Sequence, residues 1–110
     1  MVKPVLPGRP SRGSKTGRPI MALLDLLGRR WVLRLVWELR DGPRRFRELQ
    51  DAIGASPTIV NGRLADLRAA KLVELDAASG YRLTPLGIEL LRLFLPLHVW
   101  SEKWARRLSD

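Results

Sequence analysis

The chain has 110 residues, 45% hydrophobic and 28% charged, enough to bury one core but not two. Twenty lysines and arginines against 11 acids give a net charge of +9, a bias toward polyanionic partners, either nucleic acid or an acidic membrane surface. There is no cysteine, which excludes disulfides, thiol redox sensing and cysteine-held metals, and no apolar run approaches the ~20 residues of a membrane span.

Residues 1–18 carry Lys3, Arg9, Arg12, Lys15 and Arg18 with no acid, among Pro, Gly and Ser. This composition predicts a flexible basic arm without apolar periodicity, and a folded domain over residues 19–108. The arm lacks the apolar middle of a signal peptide, so the expected address is the cytoplasm, with no membrane partner. Pro19 suits a first helical turn. Ile20, Leu23, Leu24 and Leu27 then recur at helical spacing up to Gly28.

A second helix is expected over residues 30–40, with Val32, Leu35, Val36 and Leu39 inward, and Asp41-Gly42-Pro43 stops it. Arg44 and Arg45 fill a short extended stretch. Phe46, Leu49 and Ile53 mark a third, short helix that ends near Gly54. Ser56 is an N-cap type and Pro57 a first-turn type, so a fourth helix should run to about Ala70 and bury Val60, Leu64 and Leu67. Two short helices joined by a tight turn form a helix-turn-helix.

Residues 72–75 and 81–84 read as two strands around the polar turn at 76–80, a β-hairpin directly after the fourth helix. Thr84 and Pro85 open the last helix, where Leu86, Leu90, Leu93 and Leu97 share a stripe beside Leu91, Leu95 and Val99. Pro96 should kink or break it near Leu95. Its apolar surface is wider than one core requires, which points to a second contact. The expected class is mainly α with a small β-hairpin (α+β), arranged as a winged helix-turn-helix.

Across residues 18–104 the chain resembles the HxlR family of bacterial winged-helix regulators, relatives of the MarR group. The carriers are Leu26-Leu27-Gly28-Arg29-Arg30-Trp31, Gly42-Pro43-Arg44-Arg45-Phe46-Arg47-Glu48-Leu49 and Ser56. Leu64, Leu67, Leu72-Val73, Tyr81-x-Leu83-Thr84, Gly87 and Trp100 follow at the family's separations. The resemblance implies a homodimer that joins through its first and last helices and binds a pseudo-palindromic operator. Three positions depart from the pattern. Arg18 stands where many members carry a sensing cysteine, the wing turn at 76–80 is short and acidic, and Pro96 falls in a helix that is usually continuous.

In a helix-turn-helix the second helix enters the major groove. With Val60, Leu64 and Leu67 inward, steps of about 100° place Thr58, Asn61, Gly62 and Ala65 outward. Asn pairs with adenine and Thr meets bases or a thymine methyl. The candidate base-contacting residues are therefore Thr58, Asn61, Gly62 and Arg63. Gly62 either permits close approach to the groove or is incidental, and Arg63 either reaches DNA or lies along the core edge. Arg44, Arg45, Arg47, Ser56 and Arg82 are candidate phosphate contacts; for the arginines a solvated surface is the plain alternative. The arm could lie in a minor groove or bind the backbone without sequence preference.

Trp31 and Trp37 are expected in the core. Ile20, Leu23, Leu93, Leu97, Trp100 and Trp104 are the candidate dimer interface, and a small-molecule effector between subunits is the other use for the last tryptophans. His98 is the only histidine. No nucleophile elbow, phosphate-cradling glycine loop or metal-ligand spacing is present, so no catalytic residue, metal or cofactor is assigned. The expected function is a sequence-specific transcription regulator, with repression favoured over activation. The alternatives are a winged-helix module for protein or RNA, and a nucleoid-type DNA binder without an operator.

Overall fold

The structure, a computed structural model, describes Pro7 and residues 17–110. Apart from Pro7, Gly17 and Arg18, the expected arm lies outside the described residues. In chain order the elements are α1 (Pro19–Gly28), α2 (Val32–Glu38), α3 (Phe46–Ile53), α4 (Pro57–Ala69), β1 (Val73–Asp76), β2 (Gly80–Leu83) and α5 (Pro85–Ser109). The α+β class and the order helix-turn-helix then hairpin are those expected.

The core gathers on α2. Its inward residues Val32, Leu35 and Val36 are buried, as is Leu39 at its C-cap, one side of a helix whose apolar positions recur at steps of three and four. Leu49 and Ile53 of α3, Val60, Leu64 and Leu67 of α4, and Leu72, Val73 and Leu83 around the hairpin close over them.

Helix α1 departs from its expected stripe. Ala22 and Leu26 are the buried pair, Leu23 and Leu27 are half-buried, and Ile20 and Leu24 face outward. The helix is apolar on two sides, and α2 is contacted by the side that carries the small Ala22. The bend between α1 and α2 puts Trp31 at φ 79°, a left-handed conformation rare for a bulky residue.

Helix α4 ends in a Schellman motif. Leu72 N–H donates to Leu67 O at 2.9 Å and Lys71 N–H to Arg68 O at 3.0 Å, with Lys71 at φ 61° where glycine is usual. The Leu72 N–H is spent in this motif while its carbonyl accepts from Thr84 N–H at 3.1 Å, and both strands sit one residue from their expected bounds. The antiparallel pairing runs from Val73 opposite Leu83 to Asp76 opposite Gly80. Arg44 adds a further bridge to β2 through reciprocal backbone bonds with Tyr81, of 2.9 and 2.8 Å. Gly80 and Gly87 permit two close approaches: a Cβ at residue 80 would lie 2.6 Å from Arg44 O, and one at residue 87 would overlap Leu72 O.

Helix α5 corrects one expectation, a break at Pro96. It runs unbroken through Pro96 to Ser109. Arg92 and Pro96 are both exposed, so the carbonyl released by the missing proline N–H opens to water instead of ending the helix. Of the expected stripe, Leu86, Leu93 and Leu97 are exposed and Leu90 is half-buried; Gly87 and Leu91 are buried, with Phe94 half-buried beside them. Trp37 also departs from a core position. It is half-buried at the rim, edge-on to Phe94 at 6.2 Å and 5.4 Å from the His98 ring, with the Arg40 guanidinium 4.1 Å over its face.

Candidate nucleic-acid interface

Helix α4 is set by its first four residues. The Ser56 hydroxyl accepts from Ile59 N–H at 3.3 Å and Pro57 occupies the first turn, which satisfies one orphan donor and pre-sets the helical φ. With Val60, Leu64 and Leu67 buried, the opposite side presents Thr58, Asn61, Gly62 and Ala65, all exposed. A Cβ at Gly62 would meet no atom within 4 Å, so packing within the chain does not require glycine there.

The candidate cations divide into engaged and open ones. Arg45 Nη2 donates to Ala78 O at 2.6 Å, and its N–H donates to the Glu48 carboxylate at 3.0 Å. Arg45 thus ties the start of α3 to the tip of the wing. Arg82 is engaged on the wing itself, donating to Glu74 at 2.8 Å with Asp76 at 3.7 Å; the bond to Glu74 raises its pKa. Arg63 donates to Asp66 at 2.6 Å. Arg47 is open: it is exposed, with a loose 3.8 Å approach to Asp51 as its one ion pair among the described residues. Arg44 is half-buried, and its backbone is fixed by the bridge to Tyr81.

The wing turn is built by Asp76. Its carboxylate accepts from Ser79 Oγ at 2.7 Å and Ala78 N–H at 3.2 Å. The Ser79 bond, then the Ala78 bond, with smaller help from Arg82 and Arg45, lowers the Asp76 pKa against a small opposing desolvation. The short turn is thus ordered by its own side chains.

A second exposed surface is apolar. Leu93, Leu97, Trp100 and Trp104 of α5 are exposed at steps of four, three and four, as are Ile20 and Leu24 of α1. The rings of Trp100 and Trp104 stack at 6.2 Å and 8°. Leu23 differs from the other candidate interface residues in being half-buried. His98 faces Glu102 at 3.6 Å with its side chain about half exposed. Among the described residues no group of three or more His, Asp or Glu could hold a metal ion, and no helix is long and apolar enough to cross a membrane.

Sequence reasoning missed the ionic contacts of Asp66, which meets Arg63 and also Arg29 at 2.9 Å. The Arg63/Asp66 spacing of three is visible in the sequence. The distant Arg29 leaves no local signal.

Two packed helices with a capped second member, followed at once by a two-stranded hairpin, define a winged helix-turn-helix of the kind used by transcription regulators. The model of the HxlR-like helix-turn-helix family matches residues 26–109, and the chain belongs to that family. The HTH-type transcriptional regulator YodB of Bacillus subtilis (strain 168) is 30% identical over 88 residues, covering 74% of this chain and 79% of YodB. A quinone-bound structure of YodB superposes with a TM-score of 0.70 at 30% identity, covering 76% of this chain and 94% of that one. A MarR-family structure from Enterococcus faecalis V583 gives 0.67 at 28% identity, covering 82% and 88%. The protein is thus a transcriptional regulator of the helix-turn-helix type, and the named relatives are regulators rather than enzymes.

Proposed function

We propose that the protein is a sequence-specific DNA-binding repressor that acts in the cytoplasm as a homodimer on a pseudo-palindromic operator. The observation that carries this reading is the exposed side of α4, where Thr58, Asn61 and Gly62 stand clear of the core on a helix whose start is capped by Ser56. Thr and Asn supply base-edge contacts, and a side-chain-free Gly62 lets the helix backbone approach the groove. Arg47 and Arg44, near the start of α3, supply phosphate contacts, as does the free O–H of Ser56; Arg45 and Arg82 serve first to brace the wing. Ile20, Leu24, Leu93, Leu97, Trp100 and Trp104 join two copies, which sets the half-sites about one helical turn apart.

The quinone-bound state of YodB favours a small-molecule effector here as well. With no cysteine in the chain, such an effector binds without a thiol adduct. Substitution separates the roles on DNA. Asn61→Ala relaxes preference at one base pair by ~1–3 kcal/mol, whereas Arg47→Ala weakens all sequences alike and lowers the salt dependence. Equal weakening by both, measured by titration of matched duplexes, contradicts the division.

A further inference from the structure

Helix α4, proposed to face DNA, and helix α1, which carries Ile20 and Leu24, both contribute buried residues to the one core. Both α1 and α4 pack on α2. A direct polar link between them is Asp66. Its Oδ1 lies 2.9 Å from Nη1 of Arg29, the residue that ends α1, and its Oδ2 lies 2.6 Å from Nη1 of Arg63, one turn earlier on α4. The Asp66 side chain is only 11% exposed, against 17% for Arg29 and 26% for Arg63. These are partly dried contacts, held more firmly than surface ion pairs. Each carboxylate oxygen faces its own guanidinium, that of Arg63 through a hydrogen bond and that of Arg29 through an ion pair.

We infer that Asp66 is a positioning residue for DNA recognition: its carboxylate grips Arg29 and Arg63 together and so fixes α4 relative to α1. The inference rests on the proposed reading of α4 as the DNA-facing helix. Arg63 then acts through Asp66 as part of the clamp, and base edges are left to Thr58 and Asn61. Because α1 bears part of the exposed apolar surface assigned to the dimer, the clamp relays the spacing of two copies to the setting of each α4. The left-handed Trp31 lies two residues after Arg29, so the clamped end of α1 is also the start of the bend into α2.

The test compares wild type with Asp66→Asn, Arg29→Ala, Asp66→Glu and the core variant Val36→Ala. The duplex recovered from a random library and a scrambled duplex are titrated well below every melting temperature. Asp66→Asn removes one negative charge, so affinity for scrambled DNA should hold or rise. Its preference for the recovered duplex should fall roughly 5- to 150-fold, the range of an ordinary coupling between sites. Arg29→Ala should do the same while leaving Arg63 paired, and Asp66→Glu should restore most of the preference.

Tighter specific binding by Asp66→Asn would overturn the inference, because Arg63 would then be a base reader that Asp66 withholds. Loss of preference in proportion to Val36→Ala would also overturn it, as a plain stability effect. If wild type itself shows no preference, the reading of α4 has failed, and amide hydrogen exchange of the free protein decides the clamp alone. Faster exchange across residues 60–69 in both Asp66→Asn and Arg29→Ala, with α3 unchanged, supports it. Unchanged exchange in α4 overturns it.

Discussion

Both halves of α5 carry apolar residues at steps of three and four, and the structure gives them different surroundings. In the first, Gly87 and Leu91 are buried against Leu72, Leu83 and the core. In the second, Leu93, Leu97, Val99, Trp100, Trp104 and Leu108 are all more than half exposed. Leucine spacing alone cannot tell these halves apart, because both repeat at steps of three and four. The buried half is specified by what the rest of the chain offers it. A contiguous exposed apolar face on a chain of this size signals a partner, and the proposed second copy answers it.

The comparison is broken most severely from the core side. Leu64→Ala removes a fully packed side chain next to α2 and should cost about 2–5 kcal/mol by urea unfolding. A loss below about 1 kcal/mol would mean that the core is looser than its burial implies. Trp100→Glu should do the reverse. It should leave the fold within about 0.5 kcal/mol but weaken self-association by about 2 kcal/mol or more, read by sedimentation equilibrium. An unchanged dimer would move the interface elsewhere.

Gly62→Ala sharpens the same contrast on α4. With open space around the new methyl group, helix propensity should raise stability by up to ~1 kcal/mol, while DNA affinity falls. A gain in both would show that no close approach occurs at this position. The smallest effect concerns the wing. The folded pKa of Asp76 lies below its ordinary 3.8, chiefly through the Ser79 hydroxyl. Its contribution is therefore present above the ordinary value and lost as pH falls through the folded one. Ser79→Ala should move the titration of Asp76 upward toward 3.8, as followed by carboxyl NMR shifts. An unmoved titration would assign the shift to the Ala78 N–H bond, with Arg82 and Arg45 behind it.

Much of the fold was legible in the residues. Ser56-Pro57 and Thr84-Pro85 mark helix starts by chemistry local to a few positions, and both side chains accept the expected cap bonds, from Ile59 and Gly87. The buried rows of α2 and α4 followed from period. What escaped depends on relations between distant segments. Helix α1 offers two apolar sides, and only the position of α2 selects Ala22 and Leu26. Pro96 reads as a kink or a break, yet the helix continues past it, with Arg92 exposed one turn earlier. At the candidate interface, the exposed side of α4 was foreseen from its buried one. The engagement of Arg45 with Ala78, 33 residues away, and of Arg29 with Asp66 was not, since side-chain pairing at long range leaves no periodic trace.

The central claim is that α4 reads DNA in a symmetric pair. It is tested most directly by selecting bound fragments from a random duplex library and titrating the recovered sequence against scrambled DNA at two salt concentrations. The account predicts an inverted repeat with half-sites about one helical turn apart, and a preference that survives near physiological salt. No recovered motif, with affinity falling equally for every sequence as salt rises, would mean that the +9 charge alone holds the DNA, and would contradict the account.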